Sequence, residues 1–249
     1  MIKHVEIVNK QGRTLRGYLH LPEGAKEILV MFHGFTGNKT EHAGHFRNFA
    51  RLLEKEGVAS LRMDFSGNGE SDGEFADFTF DTMMDEARQM IEYAKNIAGI
   101  EKVDLLGFSM GGAVAGMMAR EYMEQINKLM LWSPAGNIVD LIKKRYENNE
   151  KNEKGNVIFG GYWELSKEMY ESLDKYNTYE GLENFPNKVF IVHGSQDLSV
   201  NYLFGMRYAV RCKNSFIHLV NGTGHGYDPL AHRDELYSKS LDFILGKNC

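Results

Sequence analysis

A single serine lies between glycines at the point where an apolar run of the sequence gives way to small, helix-forming residues. The stretch VDLLGFSMGGAVA spans residues 103–115, and its two halves read as a buried strand and the start of a helix. Glycine is unfavourable inside regular structure, so Gly107, Gly111 and Gly112 indicate a turn or a close backbone approach that a side chain would obstruct. The sequence therefore predicts that Ser109 occupies a sharp turn between a strand and a helix.

A Gly-x-Ser-x-Gly motif on its own is weak evidence of function, but between a strand and a helix it is specific for a nucleophilic serine. In a turn of this kind the serine has a strained backbone, its hydroxyl projects above the sheet, and the residues two positions away must be small. The amides and the positive dipole end of the following helix would face the point where negative charge develops on a substrate carbonyl oxygen. The motif predicts a nucleophilic serine with part of its oxyanion hole.

Short apolar runs alternate with stretches of helical period along most of the chain. This pattern predicts a mostly parallel sheet of about eight strands that is covered by helices. A polar turn containing Gly12 separates the first two strands, which predicts an antiparallel hairpin at the start of the chain. The predicted strands are HVEIVN, LRGYLHL, EILVMFHG, VASLRMDF, KVDLLGF, INKLMLWS, KVFIVHG and SFIHLV.

The regular alternation is interrupted once, by a long segment rich in Tyr, Asn, Glu and Lys. A structureless loop of such length is improbable in a compact domain, so we expect an inserted cap with helices or a hairpin of its own. We therefore assign residues 1–136 and 187–249 to the core of one domain, and residues 137–186 to an inserted cap or lid subdomain.

The composition argues against several classes of partner. The net charge is −5 with the basic residues scattered among the acidic ones, so there is no electrostatic footprint for nucleic acid or an anionic membrane. The first residues carry frequent charges and no later apolar run approaches a membrane span, which leads us to expect a cytoplasmic protein. Cys212 and Cys249 form neither a disulfide framework nor a spaced zinc site.

A serine hydroxyl needs a base, and the base needs a carboxylate to orient it. His225 lies in the glycine-rich VNGTGHGYD just after the last predicted strand, and the carboxyl ends of strands are where ligand sites form in an open α/β sheet. His232 is the alternative base. Asp197 follows a buried strand in KVFIVHGSQDLSV, and Asp140 is the alternative acid. The order Ser109, Asp197, His225 predicts a catalytic triad.

The rest of the oxyanion hole is expected in the loop MFHGFTGN, residues 31–38. Its glycine permits close approach of the backbone, so we assign the two donors as the amides of Phe35 and Met110. His33 is interpreted as structural because it leaves the strand just before that glycine. Asp64 and Asp72 lie among glycines, but their spacing matches no calcium loop and turn chemistry accounts for them. No metal site is predicted.

Taken in series, the motifs HGF, RMDFSGNGESDG, GFSMGG, HGSQD and GTGH resemble those of the α/β-hydrolase family. The resemblance covers nearly the whole chain outside the insertion and implies the α/β-hydrolase fold. Within the family, the compact size, the SDGEF segment and the cap before the acid strand are similar to bacterial cinnamoyl or feruloyl esterases. One departure is Asn68 in GNG, where relatives often carry a histidine; this position is away from the predicted triad.

The resemblance and the residues together imply a serine carboxylic-ester hydrolase that acts through an acyl-enzyme, with a small ester as substrate and no cofactor. A feruloyl-type ester is the expected substrate. A monoacylglycerol lipase, a thioesterase and a small serine peptidase use the same apparatus and are alternatives. A binding protein on an inactive hydrolase scaffold is a different class, but binding would not require all three triad residues. A homodimer is compatible with the sequence.

Substrate choice is expected to depend on the aromatic residues of the insertion. Tyr162 and Trp163 would stack on a phenolic acyl group, and Asp140 would accept a hydrogen bond from its hydroxyl. The alternative is that the aromatic residues form the small core of the cap itself, and that Asp140 is a solvated turn residue. The further aromatic candidates in the segment are Tyr170, Tyr176 and Tyr179.

Overall fold

The computed structural model describes residues 2–247, so Cys249 lies outside the described part of the chain. The strands are β1 (Ile2–Val8), β2 (Thr14–His20), β3 (Glu27–Phe32), β4 (Ala59–Met63), β5 (Lys102–Phe108), β6 (Ile126–Trp132), β7 (Val157–Phe159), β8 (Trp163–Leu165), β9 (Lys188–Gly194) and β10 (Ser215–Val220). The α-helices are α1 (His45–Lys55), α2 (Phe80–Lys95), α3 (Met110–Glu121), α4 (Ile138–Glu147), α5 (Lys167–Glu171), α6 (Tyr202–Arg211) and α7 (Leu230–Ile244).

Eight of the strands form one sheet in the order β1-β2-β4-β3-β5-β6-β9-β10. Strand β2 runs antiparallel to β1 and β4, and every other neighbouring pair is parallel. The predicted mostly parallel sheet of eight strands and its opening hairpin are confirmed. Because the parallel strands share a direction, their carboxyl ends meet at one edge, where the loops after β3, β5, β9 and β10 converge.

Apolar side chains cover both faces of the sheet, which explains the continuous apolar runs of the central strands. Helices α2 and α3 pack on one face. On the other face α1 and α7 surround Trp132 with aromatic side chains, among them Phe49 and Tyr237. Helix α7 begins at Leu230, directly after Pro229, whose ring fixes the extended residue that precedes the helix. His232 is therefore helical.

Residues 137–186 contain α4, the antiparallel hairpin β7–β8, α5 and a 3₁₀ turn at Leu182–Asn184. The segment lies against the start of α2, where the Phe80 amide donates to Ser172 Oγ at 3.0 Å. Its buried side chains, including Ile142 and Met169, join the same apolar cluster as α2 and α3. Its assignment as a separate cap remains a prediction. Within residues 2–247 no helix is both long and apolar enough to cross a bilayer.

Candidate active site

Ser109 occupies the turn between β5 and α3 with φ 55° and ψ −117°, a backbone conformation that side chains rarely adopt. The flanking glycines allow this turn because three backbone segments meet there. A Cβ atom at Gly107 would lie 2.0 Å from the carbonyl oxygen of Gly111, and one at Gly111 would lie 1.9 Å from that of Phe32. The structure places Ser109 on the strained strand-to-helix turn that the motif indicates, next to the end of β3.

The close approach at Gly111 leads to a prediction about folding. Gly111→Ala should destabilise the protein by about 3 kcal/mol or more, because the new methyl group overlaps a backbone carbonyl that cannot move without distorting β3. Urea denaturation measures the change. Gly224→Ala is the control, since the nearest atom to its Cβ would be 3.9 Å away. Equal denaturation midpoints for the two variants would show that the turn tolerates a side chain.

Asp197 and His225 follow β9 and β10, which are adjacent in the sheet. His225 Nδ1 and Asp197 Oδ2 are 2.6 Å apart, and the other carboxylate oxygen accepts bonds from the Ser199 and Val200 amides at 2.9 and 2.8 Å. A carboxylate can only accept, so Nδ1 of His225 carries the proton that it donates. This hydrogen bond leaves Nε2 of His225 as the ring nitrogen available to a substrate or a nucleophile.

The buried Asp197 carboxylate remains ionised because hydrogen bonds compensate its burial. Burial by itself raises the pKa of Asp197, but the bonds from His193 and His225 outweigh this and hold the pKa well below its usual range. His193 lies on β9 with its Nε2 atom 3.3 Å from Asp197 Oδ2, and it also donates to the Val200 carbonyl at 2.9 Å. Sequence reasoning missed His193, whose signal was its position four residues before Asp197.

Ser109 and His225 line the same open cavity of about 360 Å³. The His225 ring packs on Phe108 with 4.9 Å between ring centroids. In residues 2–247 there is no hydrogen bond between Ser109 and His225; such bonds are commonly long in a free enzyme and shorten when substrate binds. The residues that line the cavity are Gly34, Phe35, Thr36, Gly37, Glu41, His42, Phe108, Ser109, His225, Gly226 and Asp228.

The loop after β3 lies directly against Ser109. A Cβ atom at Gly34 would be 3.3 Å from that of Ser109, so a side chain at this position would crowd the nucleophile. In the described part of the chain, neither the Phe35 amide nor the Met110 amide has a hydrogen-bond acceptor. Both predicted oxyanion donors are thus free, one in the loop beside Ser109 and one in the residue that follows it.

The histidine of this loop is bonded through both ring nitrogens. His33 Nδ1 donates to the Gly34 carbonyl at 2.9 Å, and its Nε2 accepts from the Phe65 amide at 3.1 Å. It is fully buried. The contacts fix one neutral tautomer, in agreement with a structural interpretation of His33.

The alternatives from the sequence lie elsewhere. His232 is half-buried on α7, and Asp140 is exposed on the first turn of α4. Asp64 binds the ammonium group of Lys39, and Asp72 binds the Arg16 guanidinium. No group of three or more His, Cys, Asp or Glu residues within 2–247 has the arrangement of a metal site.

The predicted specificity residues Asp140, Tyr162 and Trp163 are not among the described residues that line the Ser109 cavity, and their role in substrate choice stays a prediction. Tyr162 is 76% exposed at the hairpin turn. The Trp163 ring packs on Phe75 with 4.8 Å between ring centroids, and Phe75 in turn contacts Phe35.

The other tyrosines of the insertion pack against neighbouring rings. Tyr170 stacks on Tyr146, and Tyr176 packs on Phe80 of α2. Tyr179 packs on the fully buried Tyr208 of α6. The Tyr170–Tyr146 contact agrees with the alternative in which the aromatic residues form the small core of the cap itself, whereas Tyr176 and Tyr179 pack on rings outside the segment.

Phe159 of the insertion packs on a residue that lines the cavity, and sequence reasoning did not single it out. Its ring stacks on Phe35 with 5.6 Å between centroids and 15° between planes, and Phe35 lines the cavity. The guanidinium of Arg145 lies 4.5 Å from the Phe159 ring centroid, on the same aromatic pair. The sequence signal was the pair of glycines that follows Phe159 and turns the hairpin.

Two curated relatives align with half of the chain or less. The 2-hydroxy-6-oxononadienedioate/2-hydroxy-6-oxononatrienedioate hydrolases of Comamonas testosteroni and Klebsiella pneumoniae are 32% and 34% identical over 124 residues. The alignments cover 47% and 50% of this chain and only 40% and 42% of those proteins. The chain thus spans about two fifths of the length of these relatives.

Among solved structures, Est1E from Butyrivibrio proteoclasticus with bound ferulic acid has the same fold, with a TM-score of 0.87 at 24% identity over 98% of both chains. Residues 23–149 match the model of the family described as Serine aminopeptidase, S33. That match makes up half of the 249-residue chain. The chain belongs to this family of α/β hydrolases.

Proposed function

We propose that the protein is a serine carboxylic-ester hydrolase that acts through an acyl-enzyme. The observation that carries the proposal is the His225–Asp197 pair at 2.6 Å beside the cavity that also holds Ser109. The free amides of Phe35 and Met110 support it, because they supply donors for a tetrahedral oxyanion next to that serine. A cavity of about 360 Å³ is within the usual range for a small-molecule site.

The proposed mechanism has two symmetrical halves. The Ser109 hydroxyl attacks the ester carbonyl carbon while Nε2 of His225 takes its proton, and the ionised Asp197 stabilises the resulting imidazolium. The oxyanion is held by the two backbone amides. Collapse of the tetrahedral intermediate expels the alcohol, which takes the proton from His225. Water then attacks the acyl-enzyme in the same way and releases the acid.

The favoured substrates are esters with a flat aromatic acyl group, of the feruloyl type. Phe35 gives the cavity an aromatic wall that is backed by the stacked Phe159 ring, and a planar acyl chain would pack against such a surface. The Est1E structure with ferulic acid shows that this fold holds such a ligand in another protein.

The family's description raises aminopeptidase activity as a competitor. An aminopeptidase needs an anionic group to receive the substrate's ammonium. The two carboxylates of the cavity are already bonded: Glu41 accepts from the Gly34 and His42 amides, and Asp228 binds the His42 ring. This arrangement favours uncharged esters over peptides with a free amino terminus.

A substrate panel tests the proposal. Methyl ferulate, p-nitrophenyl acetate, a monoacylglycerol, an acyl thioester and an aminoacyl p-nitroanilide should be compared by kcat/KM. We expect turnover of the esters, with methyl ferulate preferred. Rapid cleavage of the anilide or the monoacylglycerol alone would reassign the substrate class. No turnover of any compound, together with no labelling by a fluorophosphonate, would support a non-catalytic binding protein.

The aromatic wall leads to a second prediction. Phe159→Ala should lower kcat/KM for methyl ferulate about 5-fold more than for p-nitrophenyl acetate, since only the larger acyl group needs the ring pair, and one aromatic contact is worth about 1 kcal/mol. Steady-state kinetics on both esters measure the difference. Asp140→Ala is the control and should leave the ratio unchanged, because Asp140 is exposed and outside the cavity lining. Equal losses on both esters would show that Phe159 serves only stability.

A further inference from the structure

Glu41 has a place in the active-site cavity that the proposed mechanism does not use. It lies between β3 and α1, is 9% exposed, and lines the cavity together with Ser109. No motif in the sequence marks it. Its carboxylate faces the loop that carries the Phe35 amide, and not solvent.

The contacts of this carboxylate are to backbone amides. The Gly34 amide donates to Glu41 Oε1 at 2.5 Å, and the His42 amide donates to Oε2 at 2.9 Å. Bonds to an ionised acceptor are shorter and stronger than those between neutral groups. Since Gly34 directly precedes Phe35, the carboxylate restrains the chain one residue before the proposed oxyanion donor.

Gly34 is packed between Glu41 and the nucleophile. A Cβ atom at Gly34 would lie 3.3 Å from Ser109 Cβ and 3.4 Å from Glu41 Oε1. The Gly37 amide donates to the Gly34 carbonyl at 3.0 Å, so the loop also bonds to itself. A shift of the carboxylate would therefore move the Gly34 backbone relative to Ser109.

The loop needs such a restraint because its backbone is strained. Thr36, Glu41 and Ala43 have φ values of 61°, 60° and 49°, which residues other than glycine rarely adopt. Strained conformations persist only where surrounding contacts enforce them. The bond from the Gly34 amide to Glu41 restrains this loop at Gly34, and the bond from the His42 amide holds the carboxylate in place.

We infer that Glu41 is a positioning residue for the oxyanion hole: its carboxylate fixes the Gly34–Phe35 peptide so that the Phe35 amide faces the oxyanion formed at Ser109. The inference rests on the proposed function, because it assumes an oxyanion at that point. It assigns Glu41 a role that acts through the backbone and involves no contact with substrate.

The test separates transition-state from ground-state effects. Glu41→Ala should lower kcat about 10- to 100-fold and leave KM within about 3-fold, since loss of one oxyanion donor typically lowers kcat by 10²- to 10³-fold and displacement is a milder change. A trifluoromethyl ketone inhibitor, which forms a tetrahedral adduct with the serine, should bind more weakly by a similar factor. Glu41→Gln keeps an acceptor oxygen and should recover most of kcat.

A second variant displaces the Glu41 carboxylate without changing Glu41 itself. A Cβ atom at Gly37 would lie 2.7 Å from Glu41 Oε1, so Gly37→Ala should displace the carboxylate and reproduce the kcat loss with Glu41 intact. If Glu41→Ala does not fold, Gly37→Ala provides the test of the inference. Glu101→Ala is the control, because its carboxylate is exposed and pairs with Lys26 at the surface.

The outcomes are distinguishable. Unchanged kcat and inhibitor affinity in folded Glu41→Ala and Gly37→Ala would overturn the inference while leaving the proposed function in place. A rise in KM at constant kcat would also overturn it, because Glu41 would then contact the substrate in the ground state. Retained turnover in Ser109→Ala would instead remove the proposed function on which the inference depends.

Discussion

Ser109→Ala should abolish covalent labelling by a fluorophosphonate and lower ester turnover by about 10⁴-fold or more, with the fold intact. The reason is that the acyl-enzyme cannot form without the hydroxyl, while the cavity and both free amides remain. The backbone of residue 109 lies at φ 55°, and alanine must adopt the same strained conformation. The labelled band on a gel and kcat for p-nitrophenyl acetate are the two measurements.

The matched control is a buried serine on another strand of the same sheet. Ser60 on β4 is fully buried and its hydroxyl has no partner among the described residues, so Ser60→Ala removes the same atom without touching the site. It should keep both labelling and turnover. Undiminished turnover in folded Ser109→Ala would show that another nucleophile does the chemistry.

The fold was predictable because its signals are local. The alternation of apolar strands with helical stretches predicted the sheet, and the polar turn at Gly12 predicted the hairpin of β1 and β2. The strand, turn and helix around Ser109 follow from glycines at positions where a Cβ atom would overlap backbone atoms. In each case a few consecutive residues contain the information.

The specificity residues were harder to predict because their positions depend on long-range packing. Asp140, Tyr162 and Trp163 were selected by residue type within the insertion, and none of them is among the described residues that line the Ser109 cavity. Phe159 contacts the cavity lining because the hairpin β7–β8 stacks it on Phe35, a residue 124 positions earlier in the sequence. A contact between residues so far apart in the sequence produces no repeating pattern of residue types from which it could be predicted.

Glu41 and His45, which support the site, were also hard to predict because no local sequence pattern marks their contacts. Glu41 bonds to a backbone amide seven positions away, inside a loop of irregular conformation that no pattern describes. The ring of His45, at the start of α1, bonds to the Tyr237 hydroxyl and to the Gly226 carbonyl next to His225. Burial lowers the pKa of His45, so it remains a neutral bridge between α1, α7 and the loop of His225.

Asp197→Asn should lower kcat about 10⁴-fold in a folded protein. An amide nitrogen next to His225 would donate to Nδ1, which places the imidazole proton on Nε2, where it can no longer accept the proton of Ser109. Steady-state kinetics of ester cleavage measure the loss. Asp140→Asn is the control for the alternative acid and should retain normal kcat, since Asp140 is exposed on α4. The reverse result would identify Asp140 as the acid.

The same variant should also change how stability depends on pH. The pKa of Asp197 in the folded state lies well below its ordinary value because hydrogen bonds from His193 and His225 outweigh its burial. An acid with a depressed folded pKa stabilises the fold above its unfolded value, about pH 4, and that contribution is lost as the pH falls through the folded value. Asparagine does not titrate. The difference in urea midpoint between the two proteins should therefore be largest near neutral pH and shrink below about pH 4. A difference that is constant with pH would show that the charge of the carboxylate does not stabilise the fold.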